Sequence, residues 1–177
     1  TAAGLPALWV AALAGAFVSL FLVLGVARER KRLSSFTLLL AGVTLNSVVM
    51  SLIMLLHNLA SVGQSFAIVH WLMGSIDPVD YPTLAIVGVV ITAISVYLCV
   101  LSRQWNLLLV GEEWAQARGA SPQRLLWTGY LAGSLLTAVV TAITGPIGFV
   151  GLVVPHALRL KLGSDHRLLM PASFLIG

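Results

Sequence analysis

Four apolar runs, Ala7–Ala27, Phe36–Ala60, Thr83–Ser102 and Leu125–Thr144, occupy about half of this chain. Each reaches the roughly 20 residues that a helix needs to cross a hydrocarbon core. Lipid offers no hydrogen bonds, so a spanning segment of this kind must satisfy its own backbone as a helix. A fifth run, Ile147–Leu160, is shorter, and a sixth begins near Leu168. The expected fold is all-α, a polytopic transmembrane helix bundle. Composition agrees: only 9% of residues are charged, against about a quarter in a soluble domain.

The chain lacks an initiator methionine and stops inside an apolar run. The expectation is a fragment of a longer membrane protein, with residues 1–177 forming a single transmembrane domain truncated at both ends. The basic cluster "RERKR", residues 28–32, follows the first run instead of preceding it, unlike a secretory signal. Cys99 is the only cysteine, which leaves no disulfide framework or cysteine metal site within this chain.

Charge sets the expected orientation. Arg28, Arg30, Lys31 and Arg32 follow the first run; Arg103, Arg118 and Arg124 follow the third. The intervening loop, Ser61–Pro82, has no Lys or Arg and carries Asp77 and Asp80. The positive-inside rule makes the basic loops cytoplasmic and the acidic loop external. The net charge of +4 therefore serves orientation, and no nucleic-acid partner is expected. After the fourth run, Arg159, Lys161 and Arg167 would lie outside unless the short fifth run returns the chain. Irregular "GPIG" backbone before a short helix, lining a cavity or packed in protein, allows that return.

Polar residues within the apolar runs are few. Asn46, Met50, Met54 and His57 share one helical stripe, with Ser47 and Ser51 alongside. The stripe fits either the wall of a water-accessible pathway or an interhelical hydrogen bond with methionine packing. Trp71 and Trp105 fall near expected membrane interfaces. His156, Asp165 and His166 lack a recognisable ligand spacing, so no metal site is expected. No phosphate-binding loop, HExxH or nucleophile elbow occurs, and no catalytic residues are assigned.

Residues 107–124 form a polar island between the third and fourth runs, within a cytoplasmic loop expected over 103–124. Glu112 and Glu113 suit a helix N-terminus and Arg118 a C-terminus. Gly119 fits a helix stop, and Ser121–Pro122 fits a cap and first position for a restart. Two short helices joined by a glycine turn are expected on the cytoplasmic face. A plain connector could be about six residues long, so this longer segment points to a docking surface.

"EWAQARG" (113–119) matches the E-x-A-x-x-x-G pattern of the coupling loop in ABC importer permeases. With "LLLAGVTLN" (38–46), "WLMGS" (71–75), "GPIGFVGLVVPHALRL" (145–160) and "GSDHRLLMPAS" (163–173), the chain resembles permease subunits of importers for iron–siderophores, haem and cobalamin. The resemblance covers about the fourth to the ninth of that family's ten spans. It implies a homodimer or paired permease, cytoplasmic ATP-binding subunits and an extracytoplasmic substrate-binding protein. It places Glu112, Glu113, Ala115, Arg118, Gly119, Ala120, Ser121 and Pro122 in the ATPase-docking loop, and Asn46, Met50 and Met54 along the translocation pathway. "SFAIVHWLMGS" (65–75) would be a short external helix, with His70, Trp71 and Gly74 in the gate. It implies no cofactor on this chain, with ATP held by the partner, and a place in a bacterial or archaeal inner membrane. The rival class is a secondary transporter, which would normally carry an ionisable group in mid-span. All six acidic residues lie outside the spans.

Overall fold

The structure is a computed structural model and describes residues 4–29, 32–33, 35–75 and 78–177. Arg30, Lys31 and Asp77, used in the charge argument, lie outside the described residues. The described elements are α1 (Gly4–Ala27), a two-residue antiparallel ladder of β1 (Arg28–Glu29) with β2 (Arg32–Leu33), α2 (Ser35–Leu59), α3 (Val62–Met73), α4 (Tyr81–Val100), α5 (Ser102–Val110), α6 (Glu112–Ala117), α7 (Pro122–Thr144), α8 (Val150–Leu162) and α9 (His166–Ile176). Helices α1, α2, α4 and α7 are long and apolar enough to cross a membrane. These are the four expected spans, with ends shifted by a few residues.

The chain divides into two compact units, and each is described separately. The first comprises Thr1–Asp77 and Thr137–Ile147. In it α1 packs along α2, with Val23, Leu24 and Ala27 buried near the C-terminal end of α1. The remaining faces of α2 are open: within its apolar window no residue is buried, and Phe36, Leu39, Val43 and Leu56 are all exposed. Apolar surface on this scale is untenable in water and ordinary against lipid tails or further helices.

The second unit comprises Pro78–Leu136 and Gly148–Gly177. Asp80 starts α4: its carboxylate accepts the Thr83 N–H and hydroxyl, and Pro82 occupies the first turn, where no amide donor is needed. Leu101 interrupts the helix for one residue before α5 begins. The α5 helix then packs against both α6 and α9, making it the centre of this end of the unit. The indole of Trp105 lies against Gly129 so closely that a Cβ there would sit 2.6 Å from the ring. Its N–H is buried and has no hydrogen-bond partner among the described residues, so the ring serves packing against α7.

The short fifth run is α8, 13 residues long, which at about 1.5 Å per residue gives roughly 20 Å. Residues 145–149 before it are irregular, as the "GPIG" reading requires. Phe149 there adopts a left-handed conformation at φ 67°, a strained state for a bulky residue.

Candidate functional site

The polar island folds into the expected stop-and-restart. At the end of α6, the Ala120 N–H bonds to the Ala115 carbonyl at 2.9 Å and the Gly119 N–H to the Gln116 carbonyl at 2.9 Å. This pair of reversed bonds is the Schellman arrangement, and it needs a left-handed residue at Gly119, where φ is +82°. Pro122 is the first residue of α7, as the sequence indicates. One expectation needs amending: the helix after the turn is α7 itself, not a second short one. The additional short helix is α5, on the other side of Gly111.

The residues expected in the docking loop divide by exposure. Ala115 is fully buried and Pro122 is also buried, so both hold the turn in place. Glu112, Glu113, Arg118 and Gly119 are exposed, while Ala120 and Ser121 are half-buried. Trp114, which no sequence motif singles out, is 63% exposed between them. With Leu107, Val110 and Arg118 it lines a shallow depression of about 170 Å³. An indole surrounded by two carboxylates and a guanidinium outside the spans is a surface suited to a protein partner.

This end of the unit is tied to the α8–α9 turn. The Asn106 side-chain oxygen accepts the His166 backbone N–H at 2.8 Å and lies 2.8 Å from His166 Nδ1. Because an amide oxygen only accepts, Nδ1 carries the proton. The Asn106 amide donates to Asp165 Oδ1, which also caps α9 by accepting the Arg167 N–H. The Arg167 amide, then the Asn106 side chain, hold the Asp165 carboxyl below its usual range. Burial, then the charge of Arg159, push His166 below the ordinary histidine value. From sequence, Asp165 and His166 came into consideration only as metal ligands; in the structure both are hydrogen-bonded to Asn106. His156 is exposed on α8, apart from this network. Among the described residues no group of three or more His, Cys, Asp or Glu side chains could hold a metal ion.

In the first unit, the short helix expected over 65–75 is α3, starting three residues earlier than expected. Gln64 Oε1 accepts both the backbone N–H and the hydroxyl of Ser61, pinning its start. At its other end Gly74, with φ +75°, turns the chain so that the Ser75 N–H reaches the Thr144 carbonyl at 2.8 Å. A Cβ on Gly145 would lie 2.5 Å from the Trp71 carbonyl oxygen and 3.1 Å from Gly74 Cα. The "WLMGS" and "GPIG" stretches thus meet backbone to backbone, a contact invisible in either alone. His70 is exposed; Trp71 and Gly74 are half-buried.

On α2, Asn46, Met50 and Met54 are all exposed. The neighbouring hydroxyls do not add a polar wall: Thr44, Ser47 and Ser51 each bond back to a carbonyl four residues earlier.

Residues 1–177 match the FecCD transport family. The chain is 34% identical over 168 residues to the cobalamin import system permease protein BtuC of Halobacterium salinarum, covering 94% of this chain and 45% of that protein. It is 33% identical over 140 residues to the hemin transport system permease protein HmuU of Yersinia pestis, covering 79% and 42%. A solved structure described as an inward-facing conformation of a metal-chelate type ABC transporter shares 33% identity with a TM-score of 0.72, over 93% of this chain and 50% of that one. The chain spans about half the length of the curated relatives it matches.

Proposed function

The chain belongs to the FecCD transport family, and on that basis we propose that it is part of the permease subunit of an ATP-driven importer. The cargo class is a metal chelate: a siderophore, haem or cobalamin complex carried to the cytoplasm. The observation that carries this reading is the α6–Gly119 turn, a rigidly capped polar structure outside the spans with Glu112, Glu113, Trp114 and Arg118 exposed. Such a surface gives a soluble ATP-binding subunit something to grip. ATP hydrolysis then belongs to that partner, and this chain contributes neither a catalytic residue nor a bound cofactor.

An extracytoplasmic binding protein would deliver the cargo to a pair of permease subunits in a cytoplasmic (inner) membrane. Asn46, Met50 and Met54, open on α2, are the side chains offered to the pathway between the two copies. The α3 end at His70, Trp71 and Gly74, seated on Gly145, forms the external gate. Membrane vesicles containing the full complex test the reading. ATP-dependent uptake of cobalamin, haemin or a ferric siderophore that survives ionophores supports it. Uptake driven by an ion gradient without ATP would instead favour a secondary transporter.

A further inference from the structure

We propose that Asn106 is a positioning residue that couples the α6 docking surface to α9, giving nucleotide-driven movement a route into the α8–α9 hairpin besides its direct route into α7. The inference rests on the reading of residues 112–122 as the ATPase-docking loop. Its physical basis is the placement of α5, which packs against α6 on one side and α9 on another. Packing alone lets helices slide, because apolar contacts are non-directional. Asn106 removes that freedom with three directed contacts across 59 and 60 residues of sequence: to Asp165 Oδ1, to the His166 N–H and to His166 Nδ1. The amide is half-buried and uses both its oxygen and its nitrogen, so no other side chain of similar size reproduces the set. The bond to Asp165 is charge-assisted, and the same carboxylate oxygen caps α9. Displacing α5 therefore pulls on the first turn of α9 itself.

The Schellman turn lies on the far side of α6 and uses none of these groups. Removing the clamp should leave docking intact while uncoupling α9, which separates a positioning role from a merely structural one. The test is hydrogen exchange on the full permease with its ATP-binding partner, with and without a non-hydrolysable ATP analogue. In the wild type, the analogue should alter exchange at 112–121 and at 163–168. Asn106→Leu should raise exchange at 163–168 about tenfold, as for a lost hydrogen bond to a charged group, and abolish the nucleotide response there while keeping that at 112–121. Asp165→Asn retains an acceptor for both bonds and should keep both responses. Asn106→Asp keeps shape and the His166 contacts but opposes Asp165, and should weaken the 163–168 response; it also covers the case where the leucine variant does not fold. A nucleotide response at 163–168 that persists in these Asn106 variants, or is missing from the wild type while present at 112–121, overturns the coupling role. A wild type that responds at neither segment defeats the docking reading instead.

Discussion

The side-chain oxygen of Asn106 accepts the backbone N–H of His166 at 2.8 Å, joining α5 to the first residue of α9. That bond, with the packing of α5 on α6, puts the α8–α9 turn at the same end of its unit as α6. Arg159, Lys161 and Arg167 therefore flank the turn at the end where Arg103, Arg118 and Arg124 also lie. Both basic clusters thus fall at one end of this unit, which is the arrangement the positive-inside rule asks for.

Topology follows directly. In a background without Cys99, cysteines at Ser61 and Gln64, at the exposed start of α3, should react with an impermeant thiol reagent from outside. Cysteines at Gln116 and Ser164 should react only after the membrane is opened. External labelling at Ser164 would contradict the return of the chain through α8.

The same turn should loosen on acidification. His166 is held below the ordinary histidine value by burial and by Arg159, so the folded turn binds fewer protons than the opened one. Its stability is then full above about pH 6.5, declines as pH falls through that value, and levels off below the depressed folded pKa. Asp165 stays ionised throughout this window, since its stabilisation is lost only as pH falls through a folded pKa already below the usual carboxylate range. Amide exchange at 163–168, corrected for its intrinsic pH dependence, should accelerate between neutrality and pH 5. Arg159→Leu should reduce that acceleration.

At Gly119 the space is open, with nothing within 4 Å of where a Cβ would sit, so only the backbone objects to a side chain. Left-handed geometry costs an L-residue about 1–2 kcal/mol. Gly119→Ala should loosen the turn measurably, and Gly119→Val more, because branching at Cβ adds strain. Membrane insertion should be unchanged while co-purification of the ATP-binding subunit falls. Full retention of that subunit in both variants would count against the turn as a docking device.

Gly145 presents the opposite case. Its φ is +72° and an added Cβ meets backbone atoms of Trp71 and Gly74 that have no rotamer to escape into. Strain and overpacking together should cost about 2–4 kcal/mol in Gly145→Ala. The expected outcome is an unseated α3, read as faster exchange over residues 62–75 with residues 112–121 unaffected. Unchanged exchange at 62–75 would show that the close approach is not needed to hold the helix.

What the sequence made legible is what short-range chemistry dictates. The spans follow from run length, and the stop at Gly119 with restart at Pro122 follows from local turn chemistry. Helix α5 escaped because "SRQWNLLLV" follows α4 with no turn residue to set it off, and the break at Leu101 involves neither glycine nor proline. Trp114 escaped because exposure is a tertiary property; its only sequence signal is an aromatic residue inside a charged island. Asn106 could not be paired with Asp165 from spacing, since 59 residues separate them. The Gly74–Gly145 approach was hidden for the same reason, although both glycines lay in stretches that carried the family resemblance.

The functional proposal depends above all on the exposed face of α6 gripping an ATP-hydrolysing subunit, and a photo-crosslinking amino acid at Trp114 probes that contact itself. The full-length permease carrying it is expressed with its native partners and irradiated in intact membranes. The expected product is a covalent adduct with the ATP-binding subunit, lost when that subunit is deleted and absent when the crosslinker is moved to Gln64 on α3. An adduct at Gln64 with none at Trp114, or no adduct at Trp114 in a complex that still hydrolyses ATP, would contradict it.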